Sequence, residues 1–143
     1  MQLVYLACPY TSPSVEARRN RVMLADMFAA RLMRHHAVFS PISQGPRIEP
    51  HLRTKDAKSH KFWMDQCIPF LRNSTACYVL PIEGWRESKG VSEEIALAIQ
   101  MRMPVIIIQA HDLDIELIDA EELRATGWRV EWLEAEGFKG ARK

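Results

Sequence analysis

The densest group of side chains that could do chemistry lies in one segment, Gly84-Trp85-Arg86-Glu87-Ser88-Lys89-Gly90-Val91-Ser92-Glu93-Glu94-Ile95. Ser88 and Gly90 stand just before a stretch with helical periodicity, so we expect a hydroxyl and free backbone N–H groups at a helix start. Such a helix start can bind a phosphate or a sugar hydroxyl, and a glycine there lets the ligand come close to the backbone. In a simpler interpretation, Ser88 only caps the helix and Gly90 is only a loop residue. The two interpretations stay open.

Two adjacent carboxylates follow in the first turn of this expected helix. Acidic residues there stabilise a helix through its dipole, whether or not they have another role. The apolar positions of the helix are Val91, Ile95 and Ala98. Glu94 lies beside this apolar stripe, whereas Glu93 is turned further toward solvent. A carboxylate on the inner side of a helix start could act as a nucleophile, and the positive helix end would help to keep it ionised. Glu94 is therefore the first candidate for a catalytic residue.

Acid–base chemistry, or the fixing of a sugar hydroxyl, calls for a second carboxylate. Asp65 lies in a segment with helical periodicity from about His60 to Leu71, and it could point along that helix toward the same site. A solvent-facing helical aspartate is the alternative interpretation. Asp56, in the preceding segment, is the reserve candidate.

The histidines and cysteines do not have the spacing of a metal site. His35 and His36 end an expected helix, and His51 and His60 lie in or beside a loop, with no His-x-x-x-His or Cys/His pattern. The first strand is not followed by a Gly-x-Gly-x-x-Gly or Walker sequence. We therefore expect neither a bound metal nor a cofactor.

Alternating strands and helices must position these residues. Short apolar runs typical of buried parallel strands occupy residues 3–8, 37–40, 76–80 and 104–108. Helical periodicity covers about 14–36, 60–71 and 91–102, while 44–59 is predicted to be a long surface loop. A short helix at 119–125 and a more polar strand at 128–132 are expected last. This alternation predicts one α/β domain over residues 1–143, with a mostly parallel sheet of about five strands between two layers of helices.

In such a sheet, ligands bind beyond the carboxyl ends of the strands. The residues that follow the strands are therefore candidates for binding a ligand: Cys8, Pro9, Tyr10, Ser40, Pro41, the loop 81–90 with Trp85, and the segment from Gln109 onward. Trp63 and Trp85 could stack on a base, although a tryptophan more often anchors a core or loop.

Composition and charge narrow the class of partner. The chain has 143 residues, 48% apolar and 26% charged, with a formal net charge of +1, so it lacks the field that nucleic acid or an anionic membrane requires. Arg18, Arg19 and Arg21 are expected to form a solvated helix face. No apolar run approaches the roughly 20 residues that cross a bilayer. We expect a small-molecule partner, with neither nucleic acid polymer nor membrane.

The three cysteines, Cys8, Cys67 and Cys77, show no CxxC pair and are expected to be reduced thiols. The run 3–8 is too short for the core of a signal peptide and lacks a basic flank. Both features predict a cytoplasmic protein.

Several segments, in this order, resemble the nucleoside 2-deoxyribosyltransferase-like superfamily. Leu6-Ala7-Cys8-Pro9-Tyr10 is similar to the family's segment after the first strand, and Phe39-Ser40-Pro41 to its second strand end. The run from Ser88 to Ala98 resembles its Ser-x-Gly-x-x-x-Glu-(Leu/Ile)-x-x-Ala signature. Leu80-Pro81 followed by 84–88 is closest to an uncharacterised bacterial and phage branch. The resemblance covers about residues 2–109.

The resemblance implies a flavodoxin-like, doubly wound three-layer fold, a homo-oligomer, and cleavage or transfer at the N-glycosidic bond of a deoxynucleoside or its 5′-monophosphate. It implies that Glu94 attacks C1′ and expels the base, after which water or a second base takes the sugar. It further implies that Asp65 assists the leaving base and that Ser88 and Ser40 hold the 5′ side.

Two positions depart from the family pattern. Cys8 stands where glycine is usual, and Asn73-Ser74-Thr75 stands where many relatives have an aspartate at the start of the third strand. Cys8 adds a side chain near the expected ligand. The missing aspartate favours the alternative, a non-catalytic module that binds a nucleotide or nucleotide sugar in the same cleft.

Overall fold

In the part of the chain that the structure describes, four parallel strands separated by helices form a sheet. The computed structural model describes residues 1–52, 55 and 59–108. Its strands are β1 (Leu3–Ala7), β2 (Ala37–Phe39), β3 (Ala76–Val79) and β4 (Val105–Ile107). Its helices are α1 (Val15–Leu32), α2 (Pro41–Ile48), α3 (His60–Arg72) and α4 (Lys89–Gln100), with a 3₁₀ turn at Glu49–His51.

The strand order is β2-β1-β3-β4, and every neighbouring pair is parallel. Tyr5 in β1 pairs with Phe39 on one side and with Cys77 on the other, so β1 is hydrogen-bonded along both edges. The chain leaves β1 toward β2 and then returns to its other side at β3. This reversal creates a crevice between the carboxyl ends of β1 and β3.

Helices cover both faces of the sheet. On one face, Tyr5 and Ala7 pack against α3 and α4 through residues such as Leu71 and Ile95. On the other face, Leu6 and Cys8 pack against α1. The alternation arises because successive side chains of a strand point to opposite faces. The predicted α/β, doubly wound, flavodoxin-like architecture is confirmed. The predicted helix at 119–125 and strand at 128–132 lie outside the described residues.

The predicted surface loop at 44–59 was wrong for its first part, because α2 and the 3₁₀ turn occupy Pro41 to His51. Pro41 suits the first position of a helix, where no N–H is needed. Pro46 lies inside α2, yet the helix is held by packing. Gly45 is buried, and a Cβ there would lie 3.4 Å from the Trp63 ring. Tertiary contacts thus outweigh the helix-breaking tendency of these two residues.

Among the helices in the described part of the chain, none combines the length and apolar character needed to span a bilayer.

Candidate active site

A cleft of about 1810 Å³ opens at the carboxyl ends of the central strands. Its walls come from the segment after β1, the first half of α1, α2 with the 3₁₀ turn that follows it, one face of α3, the loop between β3 and α4, and the first two turns of α4. A typical small-ligand pocket measures about 300–1000 Å³, so a nucleoside-sized molecule would fill only part of this cleft.

Glu94 lies in this cleft together with Tyr10 and Ser88. Its side chain is only 5% exposed, because α4 packs against the sheet through Val91, Ile95 and Ala98 on the adjoining stripe. The Tyr5 hydroxyl, from the middle of β1, donates a hydrogen bond to Oε2 of Glu94. The inward placement of Glu94 expected from the helical stripe is what the structure shows.

The charge state of Glu94 differs from the expectation. Burial raises the pKa of Glu94 from its ordinary 4.5 to about 8; the Tyr5 hydrogen bond opposes this rise, and the nearby Glu93 adds to it. At pH 7 the protonated form of Glu94 would therefore predominate in the absence of a ligand. The expectation that the helix start keeps this carboxylate ionised was wrong, because Glu94 is the sixth residue of α4, beyond the first turn in which the dipole acts, and loss of solvent raises its pKa.

The neighbouring acidic groups do not titrate near neutral pH. Burial, followed by the Glu94 charge, raises the pKa of Tyr5 well above its ordinary value. Burial also raises the pKa of Cys67 to about 11 and that of Cys8 still further. Among these four side chains, Glu94 alone changes its charge between pH 6 and pH 9.

The start of α4 forms the wall beside Glu94. Ser88 caps the helix, with its Oγ accepting a hydrogen bond of 3.2 Å from the Val91 N–H. A Cβ built on Gly90 would lie 3.9 Å from Cε1 of His60 and 4.0 Å from Oε1 of Glu94. Gly90 therefore leaves open a gap between an imidazole and a buried carboxylate.

The structure does not bring Asp65 to the cleft. The cleft-facing residues of α3 are His60, Trp63, Met64 and Cys67, which follow the helical repeat. The Asp65 carboxylate faces solvent and forms an ion pair of 2.6 Å with Lys61 one turn earlier. The expectation that Asp65 points into the site was wrong in its geometry. Asp56, the reserve candidate, lies outside the described residues.

The other predicted binding residues divide into two groups. Ser40 is buried with its Oγ 2.8 Å from Oγ of Ser43, and Pro9 is fully buried; neither residue lines the cleft. The cleft is lined by the remaining members of the predicted set: Cys8, Tyr10, Pro41, Trp85, Ser88 and Gly90. That any of them touches a ligand stays a prediction.

Arg21 links two walls of the cleft. Its Nη1 donates to the carbonyl of Thr11 at 2.8 Å and to that of Tyr10 at 3.3 Å, and its Nη2 donates to the carbonyl of Glu83 at 3.0 Å. The loop after β1 is thereby tied to the loop after β3. Gly84 has a φ of +87°, and a Cβ there would lie 2.4 Å from Nη2. The expectation that Arg21 belongs to a solvated helix face holds only in part, because the side chain is half-exposed and its guanidinium donates to three backbone carbonyls.

Comparison with known proteins places the chain in a family. Residues 2–110 match the family described as Domain of unknown function (DUF1937). The chain is a DUF1937 protein. Comparison with curated sequences finds no match.

Solved structures show the fold of this DUF1937 chain in another protein. The 2-deoxyribosyltransferase from the psychrotolerant bacterium Bacillus psychrosaccharolyticus superposes with a TM-score of 0.54 at 16% identity, over 97% of this chain and 93% of that one. The likeness confirms the flavodoxin-like fold. Together with the family match, it confirms the resemblance to the nucleoside 2-deoxyribosyltransferase-like superfamily.

Sequence reasoning missed three side chains of the DUF1937 site. Tyr5 was treated as part of an apolar strand, although a fully buried phenol needs a hydrogen-bond partner and could have been noticed for that reason. His60 and Glu93 were also passed over, yet Nε2 of His60 lies 2.7 Å from Oε2 of Glu93. Their pairing joins the starts of α3 and α4, which the sequence does not place side by side.

The three cysteines of this DUF1937 chain are free and buried. Within the described ranges, no three His, Cys, Asp or Glu side chains converge in a way that could hold a metal ion.

Proposed function

We propose that this DUF1937 protein cleaves or transfers the N-glycosidic bond of a deoxynucleoside or deoxynucleoside 5′-monophosphate, with Glu94 as the nucleophile. The observation that carries the proposal is the position of the Glu94 carboxylate. It is buried beside the central strand β1, accepts a hydrogen bond from Tyr5 and lines the cleft. The fold shared with a 2-deoxyribosyltransferase supports the same reaction class.

In the first step, an oxygen of ionised Glu94 attacks C1′ of the sugar. The bond from C1′ to the base nitrogen breaks, its electron pair leaves with the base, and the base acquires a proton. In the second step, water or another base bonds to C1′ and the ester to Glu94 breaks, which restores the carboxylate. Tyr5 stays protonated, so its hydroxyl can orient the carboxylate and stabilise its charge throughout.

The raised pKa of Glu94 suits a site that becomes active when occupied. A sugar hydroxyl that donates a hydrogen bond to the carboxylate would favour its ionised form. The start of α4 offers the Ser88 hydroxyl and free N–H groups to the 5′ side of the sugar. Binding and activation of the nucleophile would thus occur together.

The same raised pKa also favours a second candidate function. A protonated Glu94 donates a hydrogen bond instead of attacking, and Asp65 lies away from the cleft. A non-catalytic module that binds a nucleotide or nucleotide sugar would have these features.

A turnover assay separates the two candidates. Deoxynucleosides and their 5′-monophosphates are incubated with the protein, with and without an acceptor base, and free or exchanged base is measured by chromatography. Glu94→Ala should lower turnover by at least about 10⁴-fold, as removal of a nucleophile does. Asp65→Asn is the matched control and should leave turnover unchanged.

An active Glu94→Ala variant would overturn the mechanism. Thermal stabilisation of the wild-type protein by these ligands without base release or exchange would establish the binding module instead.

The proposal includes a homo-oligomer. Large apolar side chains of α1 are exposed in the single chain, among them Val15 at 52% and Met23 at 49%. Such exposure on one helix supports burial against another copy. Light scattering coupled to size exclusion measures the mass, and a monomer at micromolar concentration would refute this part.

A further inference from the structure

His60 and Glu93 form a pair at the rim of the cleft. His60 is the first residue of α3, and Glu93 is the fifth residue of α4, in its second turn. Their side chains are 34% and 44% exposed, and Nε2 of His60 lies 2.7 Å from Oε2 of Glu93. His60 lines the cleft. The pair is therefore reachable by a ligand and yet fixed in position.

The imidazole lies across a gap from the nucleophile. Cε1 of His60 and Oε1 of Glu94 are both within 4.0 Å of the point where a Gly90 Cβ would stand. They are thus separated by less than twice that distance. In glycosidases that form a covalent intermediate, nucleophile and acid are about 5–5.5 Å apart. This spacing lies within the limit that the two distances to Gly90 set.

The second ring nitrogen is available for chemistry. With Nε2 engaged by Glu93, Nδ1 is left for another partner, and it makes no hydrogen bond to any residue that the structure describes. In the imidazolium form, both nitrogens donate. Glu93 would then hold the ring and stabilise its charge, as a carboxylate does for a catalytic histidine.

We propose that His60 is the catalytic acid that protonates the leaving base, with Glu93 as its positioning residue, a role that rests on the proposed glycosyl chemistry. It is the function that the family resemblance implied for Asp65, whose carboxylate faces solvent.

The proton and electron pairs balance as follows. Glu94 bonds to C1′, the C1′–N bond breaks toward the base, and the Nδ1 proton of His60 moves to a ring nitrogen or carbonyl oxygen of the base. His60 is then neutral. When water or an acceptor base attacks C1′, Nδ1 takes its proton while the bond from C1′ to Glu94 breaks. Imidazolium and carboxylate are both restored.

Two substrates with different leaving groups test this role. One is 2′-deoxyadenosine, whose base needs a proton to depart. The other is 4-nitrophenyl 2-deoxyriboside, whose nitrophenolate departs as a stable anion. If turnover requires a 5′ phosphate, both are used as 5-phosphates. His60→Asn should lower kcat/KM for deoxyadenosine by about 10²–10⁴-fold. It should change kcat/KM for the nitrophenyl substrate by less than about threefold.

Glu93→Gln should also lower kcat/KM for deoxyadenosine more than kcat/KM for the nitrophenyl substrate. The decrease should be smaller than for His60→Asn, because the imidazole remains and loses only its charged partner. The control is His35→Asn, an exposed histidine outside the cleft, which should behave as wild type. Melting temperatures confirm that each variant is folded.

An equal effect of His60→Asn on both substrates, or no effect on either, would overturn the acid role while leaving Glu94 in place. Inertness of the wild-type protein toward both substrates, or full activity of Glu94→Ala, would instead overturn the proposed function and this inference with it.

Discussion

Tyr5 donates a hydrogen bond to Glu94 although 89 positions separate the two residues in the chain. The contact exists because β1 is central in the sheet and α4 packs on the face toward which Tyr5 points. A phenol from the sheet thus holds a carboxylate from the second turn of a helix. The hydrogen bond holds the proposed nucleophile in position and partly offsets the rise of its pKa that burial causes.

The stability of the protein should fall as pH rises from about 4.5 to about 8. Below pH 4.5 Glu94 is protonated in both the folded and the unfolded chain, whereas between these values only the folded chain keeps the proton. Each unit of pKa difference corresponds to about 1.4 kcal/mol, so the loss should total a few kcal/mol. Urea unfolding at a series of pH values measures it. Glu94→Gln should remove this part of the slope, and an unchanged slope would contradict the assignment.

Removal of the Tyr5 hydroxyl should shift the activity profile to higher pH. The Tyr5 hydrogen bond lowers the pKa of Glu94. In the pH profile of kcat/KM, the acid limb is expected at about pH 8, and Tyr5→Phe should shift it to higher pH. A hydrogen bond to a charged group contributes about 1.5–3 kcal/mol, which equals roughly one to two pH units. The nitrophenyl substrate isolates this limb. Tyr78→Phe, whose ring packs on the opposite face of the sheet, is the control.

Loss of the Arg21 guanidinium should loosen both loops of the cleft. Arg21→Ala removes hydrogen bonds to three carbonyls and should lower the free energy of unfolding by about 1–2 kcal/mol, since the side chain is partly exposed. Arg19→Ala, on the exposed side of the same helix, should stay within about 0.5 kcal/mol of wild type. Denaturant titration gives both values. Equal effects of the two substitutions would refute the role of Arg21 as a link.

A methyl group at position 90 should impair binding without harming the fold. The added carbon of Gly90→Ala meets its neighbours at ordinary contact distances, and alanine favours a helix more than glycine does. It would nevertheless occupy the gap between His60 and Glu94. We expect an unchanged or higher Tm and a KM raised about tenfold, a loss of roughly 1.4 kcal/mol in binding. Ser92→Ala, exposed in the same turn, is the control; a KM equal to wild type would show that substrate does not enter the gap.

Most of the architecture could be predicted from the sequence, because strands that are buried on both faces are continuous apolar segments. The error at 44–51 has a local cause, since Gly45 and Pro46 carry loop-forming tendencies that packing against Trp63 overrides. The secondary-structure propensities of single residues take no account of that contact.

The site was readable only in part. Glu94 was found from its place beside an apolar helical stripe. Asp65 was misplaced, although at about 100° per residue it falls nearly opposite the row that contains Met64 and Cys67. Tyr5 could not be paired with Glu94, because their contact depends on which helix covers which face of the sheet.

The pairing of β1 with a strand on each side predicts how the protein unfolds on heating. A strand bonded along both edges can exchange its amide protons only when neighbouring strands separate, so it belongs to the most cooperative part of the molecule. The anchor of the proposed nucleophile therefore persists until the sheet itself is lost. Thermal inactivation should coincide with global melting instead of preceding it.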